Sequence, residues 1–241
     1  MTTMTRKVAL LALALFSAAS IAAAAEVSGT ITTTTWTKTN SPYRVTGTVT
    51  VPPGNTLTIE PGVDVLFDAD VQFIVQGSLH AVGTQTDSIR FLKGTASEWG
   101  GIRISGGDSS TIAYARISDG AATGGYEAGG GIQVVGNGTR AGFSNCVISG
   151  NRAYWAGGID VSSGARASMH RCRIEDNYGS DSGGGLFVRT GAQVGASEWD
   201  FARNTGYKDG GGIYLWNNAE AWLVNCRVFD NRALVGDEAG G

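Results

Sequence analysis

Through the second half of the chain, apolar and polar residues alternate in short runs. Ile132 and Val134, Ile159 and Val161, Leu186 and Val188, and Ile213 and Leu215 fall on one side of these runs. Gln133, Asp160, Phe187 and Tyr214 fall on the other. Alternation with period two sends successive side chains to opposite faces, so each run predicts a short β-strand with an apolar inner face. Asp160, as an outer residue, is expected to be wetted. Turn residues close the runs, as in Gly136-Asn137-Gly138 and Ser162-Ser163-Gly164.

The runs recur at a fixed interval. GGGIQV, AGGIDV, GGGLFV and GGGIYL place Ile132, Ile159, Leu186 and Ile213 at three equal separations. A second motif, C-x-I-x-x-N or a variant, follows each copy and ends at Asn151, Asn177, Asn204 and Asn231, with the first interval one residue shorter than the other two. Ile148, Ile174, Phe201 and Val228 stand three residues before those asparagines, and Cys146, Cys172, Trp199 and Cys226 two earlier still. A repeat of this length, made of strands and turns, cannot bury its apolar face alone. It predicts a coil of short strands stacked on its neighbours at the strand spacing of ~4.8 Å, with equivalent residues forming ladders. Looser strand patterns at 49–51, 57–59, 63–67, 73–75, 89–91 and 102–104 read as earlier coils of the same object. The fold class is thus all-β, a parallel β-helix of about 27 residues per coil in its second half. One domain covers 36–241, with N-terminal coils at 36–104 and regular repeats at 129–241. Residues 26–35, ending in four threonines, read as a flexible lead-in.

Composition narrows the alternatives. Glycine supplies 37 of 241 residues, about twice ordinary usage, but without a three-residue period and with only 4 prolines, which excludes collagen and proline-rich linkers. Glycine and threonine on this scale disfavour long helices. Arg6 and Lys7 precede an apolar run ending in Ala23-Ala24-Ala25, the pattern of a secretory signal peptide over residues 1–25. Its removal leaves 16 basic and 21 acidic groups, so the mature chain is mildly acidic. That balance argues against nucleic acid as a partner. No later run approaches the ~18 apolar residues of a membrane span. The expected location is secreted, periplasmic or at the cell surface.

Three stretches carry a family resemblance: SPYRVTGTVTVPPGNTLTIEPGVDVLFD, VQGSLHAVGT and SEWGGIRI. They resemble the opening coils of bacterial exported right-handed parallel β-helix proteins of the pectin-lyase-like superfamily. The GGGI and C-x-I-x-x-N copies resemble repeats of chlamydial-type polymorphic outer-membrane proteins. The resemblance covers about residues 36–241 and implies a right-handed coil, as does the general bias of parallel crossovers. It implies little about activity, since the superfamily holds lyases, hydrolases and adhesins.

The candidate chemistry divides into ladders and outer groups. The glycine triplets lack the lysine-serine pair and helix of a phosphate loop, and read as tight bends. Asn151, Asn177, Asn204 and Asn231 read as an internal amide ladder. Cys146, Cys172 and Cys226 read as a buried reduced column, because stacked side chains point the same way and the count is odd. No metal site is indicated, since His80 and His170 lack ligand spacing with the cysteines. Asp160 and Arg189 on outer strand positions, with Asp181, Lys208 and Asp209 in neighbouring loops, have the residue types that polysaccharide lyases of the resembling fold use. Calcium would enter only in that case. The aromatic residues Tyr154, Trp155, Tyr178, Phe187, Tyr207, Tyr214 and Trp216 read as an outer binding strip for a polysaccharide or cell-surface glycan. The expected function is a noncatalytic glycan- or surface-binding solenoid, the alternative a polysaccharide lyase or glycoside hydrolase. Finally, the chain ends at Gly240-Gly241, where a fifth copy should begin. That reads as a fragment lacking C-terminal coils, or as an end covered by self-association.

Overall fold

The computed structural model describes residues 24–106, 109–122 and 129–235. Most of the expected signal segment, residues 1–23, and the last residues, 236–241, lie outside the described residues. The chain forms a parallel β-solenoid. One regular coil consists of the strands Ile159–Ser162, Arg166–His170 and Arg173–Glu175, followed by the two-residue strand Tyr178–Gly179. Each pairs in parallel with its equivalent one repeat further on, as in Ile159 with Leu186, Arg166 with Gln193, Ile174 with Phe201 and Tyr178 with Thr205. The stacked strands therefore build three long faces and one minor one. On the first face Val49, Phe73, Ile102, Ile132, Ile159, Leu186 and Ile213 lie one above another, giving seven layers.

The N-terminal coils are less regular. The long strand Tyr43–Val51 pairs through its first half with Asp64–Phe67 on the third face and through its second half with Phe73–Val75 on the first. The two faces thereby merge into one 15-stranded sheet. The stretch 26–35, expected as a flexible lead-in, instead carries strand Ala25–Thr30, laid on Tyr43–Val51, and the start of Thr34–Trp36, laid on Thr56–Ile59. The cause is residue shape: β-branched threonine suits a pleated strand as well as it suits an exposed loop.

Inside, the ladders form a continuous core. Ile132, Ile159 and Leu186 of the first face and Ile117, Ile148, Ile174 and Phe201 of the third are fully buried. In the N-terminal coils larger rings fill the space, with Phe67 stacked on Trp99 at 3.9 Å between centroids. The cysteines are free thiols in one column, which Trp199 interrupts. Burial pushes the Cys172 thiol above its ordinary range. The asparagines form a bonded rail. Asn177 Oδ1 accepts from both the backbone N–H and Nδ2 of Asn151 at 3.0 Å, and Asn177 Nδ2 donates to Asn204 Oδ1 at 2.9 Å and to the Ile148 carbonyl at 3.0 Å. Asn204 repeats the pattern toward Asn231 and Ile174. The buried amides thus meet their bonding demand from coil to coil.

The glycine triplets mark where a loop crosses the next coil at backbone contact distance. A Cβ on Gly184 would lie 2.4 Å from the Gly211 carbonyl oxygen and 2.5 Å from the backbone of Thr205, so no side chain fits. In the last described coil Leu215, Trp222, Leu223, Val224, Val228 and Phe229 are 40–57% exposed. One layer below, Val188 and Phe201 of the same columns are fully buried.

Candidate functional site

Two outer columns of the first face and two columns of the stacked loops before it meet along a groove. On the strands, Gln133, Asp160, Phe187 and Tyr214 form one outer column, and Arg189 pairs with Trp216 in the next. In the loops, Tyr154, Asp181 and Lys208 occupy equivalent positions and are joined by backbone bonds, Asp181 N–H to the Tyr154 carbonyl and Lys208 N–H to the Asp181 carbonyl, each 2.8 Å. Trp155, Ser182 and Asp209 form the adjoining loop column, again one repeat apart. The open groove between these columns holds about 500 Å³, lined by Trp155, Asp181, Ser182, Phe187, Arg189, Asp209, Tyr214 and Trp216.

The floor is aromatic. Phe187 and Tyr214 stack at 5.0 Å with 25° between their planes, and Trp155 tilts against Phe187 at 6.0 Å. Arg189 lies over both Trp155 and Phe187, its guanidinium carbon 5.8 and 5.7 Å from the two ring centroids. A cation over ring faces is held by their quadrupoles. It is also anchored from beneath, where Arg189 Nε donates to Asp160 Oδ1 at 2.8 Å and Nη2 to Oδ2 at 3.4 Å. Asp160 further accepts from Ser162 Oγ at 3.0 Å, and Gln133 Nε2 stands 3.5 Å from it. Arg103 Nη1 donates to Gln133 Oε1 at 2.5 Å and extends the polar chain one coil further.

This corrects the expectations that Asp160 is wetted and that Phe187 belongs to an exposed outer strip. Asp160 is fully buried and Phe187 is 1% exposed. They do face outward from the solenoid axis, but the loop carrying Trp155 and the Arg189 side chain cover them. Burial pushes the Asp160 carboxyl above its ordinary value, an effect only partly offset by the charge and hydrogen bonds of Arg189 and the bonds of Ser162 and Gln133. A carboxyl raised in the folded state binds its proton more tightly there than in the unfolded chain. Its contribution to stability therefore falls as pH rises from the ordinary 3.8 to the raised value. Asp160→Asn should remove that slope and cost about 3 kcal/mol at neutral pH, because it leaves the largely buried Arg189 guanidinium without its anionic partner. Calorimetric melting at pH 4 and pH 7 measures both. A loss below about 1 kcal/mol at pH 7 would mean that the burial penalty cancels the ion pair.

The loop groups form a second polar set. Ser182 Oγ lies 3.2 Å from Asp181 Oδ2 and 3.3 Å from Asp209 Oδ2, and its single proton serves one of them at a time. Lys208 Nζ pairs with Asp181 Oδ1, which raises the Lys208 ammonium above its ordinary value. Tyr154 meets Trp155 edge-on at 5.0 Å. Tyr178 and Tyr207, 38% and 41% exposed, do not line the groove. Tyr154 does not line it either, so the aromatic residues are a gathered floor of four with three outliers, not one continuous strip. Ser182, Ser162, Gln133 and Arg103 belong to the polar set although nothing in their residue type singles them out. The available signal was register, since Ser182 stands one repeat from both Trp155 and Asp209. Among the described residues no group of three or more His, Cys, Asp and Glu side chains is placed to hold a metal ion. Among them, too, no helix is long and apolar enough to cross a membrane.

Stacked parallel coils with a lined groove on one face define the class, a β-solenoid with a candidate ligand groove. Residues 100–240 match the family model described as the right-handed β-helix region, more than half of the chain. The chain belongs to that family, and its coil is right-handed. No curated protein and no solved structure matches it.

Proposed function

We propose that this β-helix is a noncatalytic exported module that binds a glycan chain in the groove of its first face. The observation that carries the reading is the convergence of Trp155, Phe187, Tyr214 and Trp216, drawn from three coils, on one groove that also holds Arg189, Asp181 and Asp209. Concave sites with an apolar floor and a few placed polar groups are the usual form of small-ligand sites. A sugar ring has the matching chemistry, a C–H face for the Tyr214 and Trp216 rings and hydroxyls for the carboxylates and guanidinium. Trp216 is 53% exposed, so its ring is available to a ligand. Export rests on the basic and apolar segment at 1–25.

The test is retention of the full chain on immobilised polysaccharides. Tyr214→Ala combined with Trp216→Ala should weaken retention about 5- to 150-fold, two ring contacts being worth about 0.5–1.5 kcal/mol each. The melting temperature should move little for the exposed Trp216. Unchanged retention would remove the groove from consideration.

One observation favours a hydrolytic reading as the second choice. Asp181 and Asp209 share Ser182, so their Oδ2 atoms are at most about 6.5 Å apart, no further than carboxylate pairs that cleave glycosidic bonds can stand. Against it, Lys208 occupies Asp181. Release of reducing ends from the retained polysaccharide, abolished by Asp209→Asn, would favour the hydrolase.

A further inference from the structure

A second groove, independent of the first, lies at the corner where the second face turns into the third. A single residue in the left-handed region makes that turn in successive coils, Tyr114, Asn145 and Arg171, with φ of 48°, 53° and 52°. The groove holds about 620 Å³ and is lined by Arg116, Arg171 and Arg173 together with hydroxyl and amide side chains, and by no carboxylate.

The outer column of the third face explains why positive charge collects there. In register it reads Asp64, Arg90, Arg116, Val147, Arg173, Asp200, Arg227. Toward its ends each arginine has a carboxylate beside it: Arg90 grips Asp64 through two bonds of 2.5 Å, and Arg227 grips Asp200 at 2.7 and 2.5 Å. In the middle the alternation fails. Arg116 sits between Arg90 and Val147 and has no acidic partner among the described residues, while a neighbouring like charge is unfavourable. Arg171 and Arg173 each bind one carboxylate, Glu198 and Glu175, and are 60% and 55% exposed, so both have donors to spare.

We propose that this corner groove binds an oxyanion with three terminal oxygens, a phosphate or sulfate ester, carried on a sugar-sized body. Three guanidiniums from two coils exceed what one planar carboxylate can engage, whereas a tetrahedral ester group offers an acceptor to each of them. The Tyr114 phenol and Asn145 amide provide neutral donors for the body, and Val147 its apolar floor. Arg116 makes the principal contact.

Titration calorimetry of the full chain with glucose 6-phosphate, inorganic phosphate, sulfate, glucose sulfate ester and glucuronate tests this. The sugar esters should bind at least tenfold more tightly than glucuronate and than the free ions, with affinity falling as salt rises. Arg116→Gln should lower ester affinity 10–100-fold, with Arg116→Lys intermediate and melting unchanged in both, because Arg116 is exposed. The Tyr214→Ala, Trp216→Ala pair should leave ester binding intact. Equal binding of glucuronate or of the free ions, or no effect of Arg116→Gln, overturns the proposal. Loss of ester binding in the aromatic pair with Arg116→Gln silent also overturns it, by placing the ligand in the first groove.

Discussion

Ile174→Asp is expected to abolish the cooperative unfolding transition of this chain at neutral pH. Ile174 is fully buried between Ile148 and Phe201 on the inner side of the third face. The substitution forfeits about 2–3 kcal/mol of burial and adds several more for an uncompensated carboxylate. The total approaches the ~5–15 kcal/mol that holds a domain together. Arg173→Gln, one residue earlier and outward, should change stability by less than about 1 kcal/mol, because its ion pair with Glu175 is exposed on the arginine side. Thermal melts followed by circular dichroism compare the two directly. Equal losses in both variants would mean that the inner and outer sides are reversed.

Asn177→Leu should cost about 2 kcal/mol or more, although leucine is similar in volume and apolar. The amide serves four partners, the N–H and Nδ2 of Asn151, the Ile148 carbonyl and Asn204 Oδ1. Asn151 Nδ2 keeps the Ile117 carbonyl and Asn204 Oδ1 keeps the residue 177 N–H, so the loss falls on the Asn151 N–H and the Ile148 carbonyl. Each buried group left without a partner costs about 1–3 kcal/mol. Urea unfolding gives the magnitude. Hydrogen exchange should show the loss centred on the Asn151 amide, one coil away from the substitution. A cost below about 1 kcal/mol would mean that water replaces the amide and that the rail is dispensable.

The architecture was legible because the sequence period and the physical period coincide. One copy of the repeat is one coil, so Ile132, Ile159, Leu186 and Ile213 could be stacked from their spacing alone. The asparagine rail was legible for the same reason. Strand alternation, however, reports only which side of a strand a residue faces. It does not report whether a loop covers that side, so Asp160 read as wetted and Phe187 as part of an outer strip when the Trp155 loop and Arg189 bury them. Loop side chains carry no periodic signal of direction either. Trp155 turns into the groove while Tyr178 stays outside it. The threonines at 32–35 were ambiguous by chemistry, because the same β-branched residues serve loop and strand.

The rail has a genealogical consequence. Each asparagine bonds to the rung one coil away, and from Asn177 onward the coils keep one constant length. A block of that length, duplicated or lost by recombination, therefore leaves every remaining rung facing an equivalent neighbour. Copy number can drift in such a chain with little injury to the scaffold. The groove has no such tolerance, because Trp155, Ser182 and Asp209 are different residues at one repeated position. Losing a single coil would keep the architecture and erase the groove, so selection on the proposed binding would act on the order of the coils as well as on their composition.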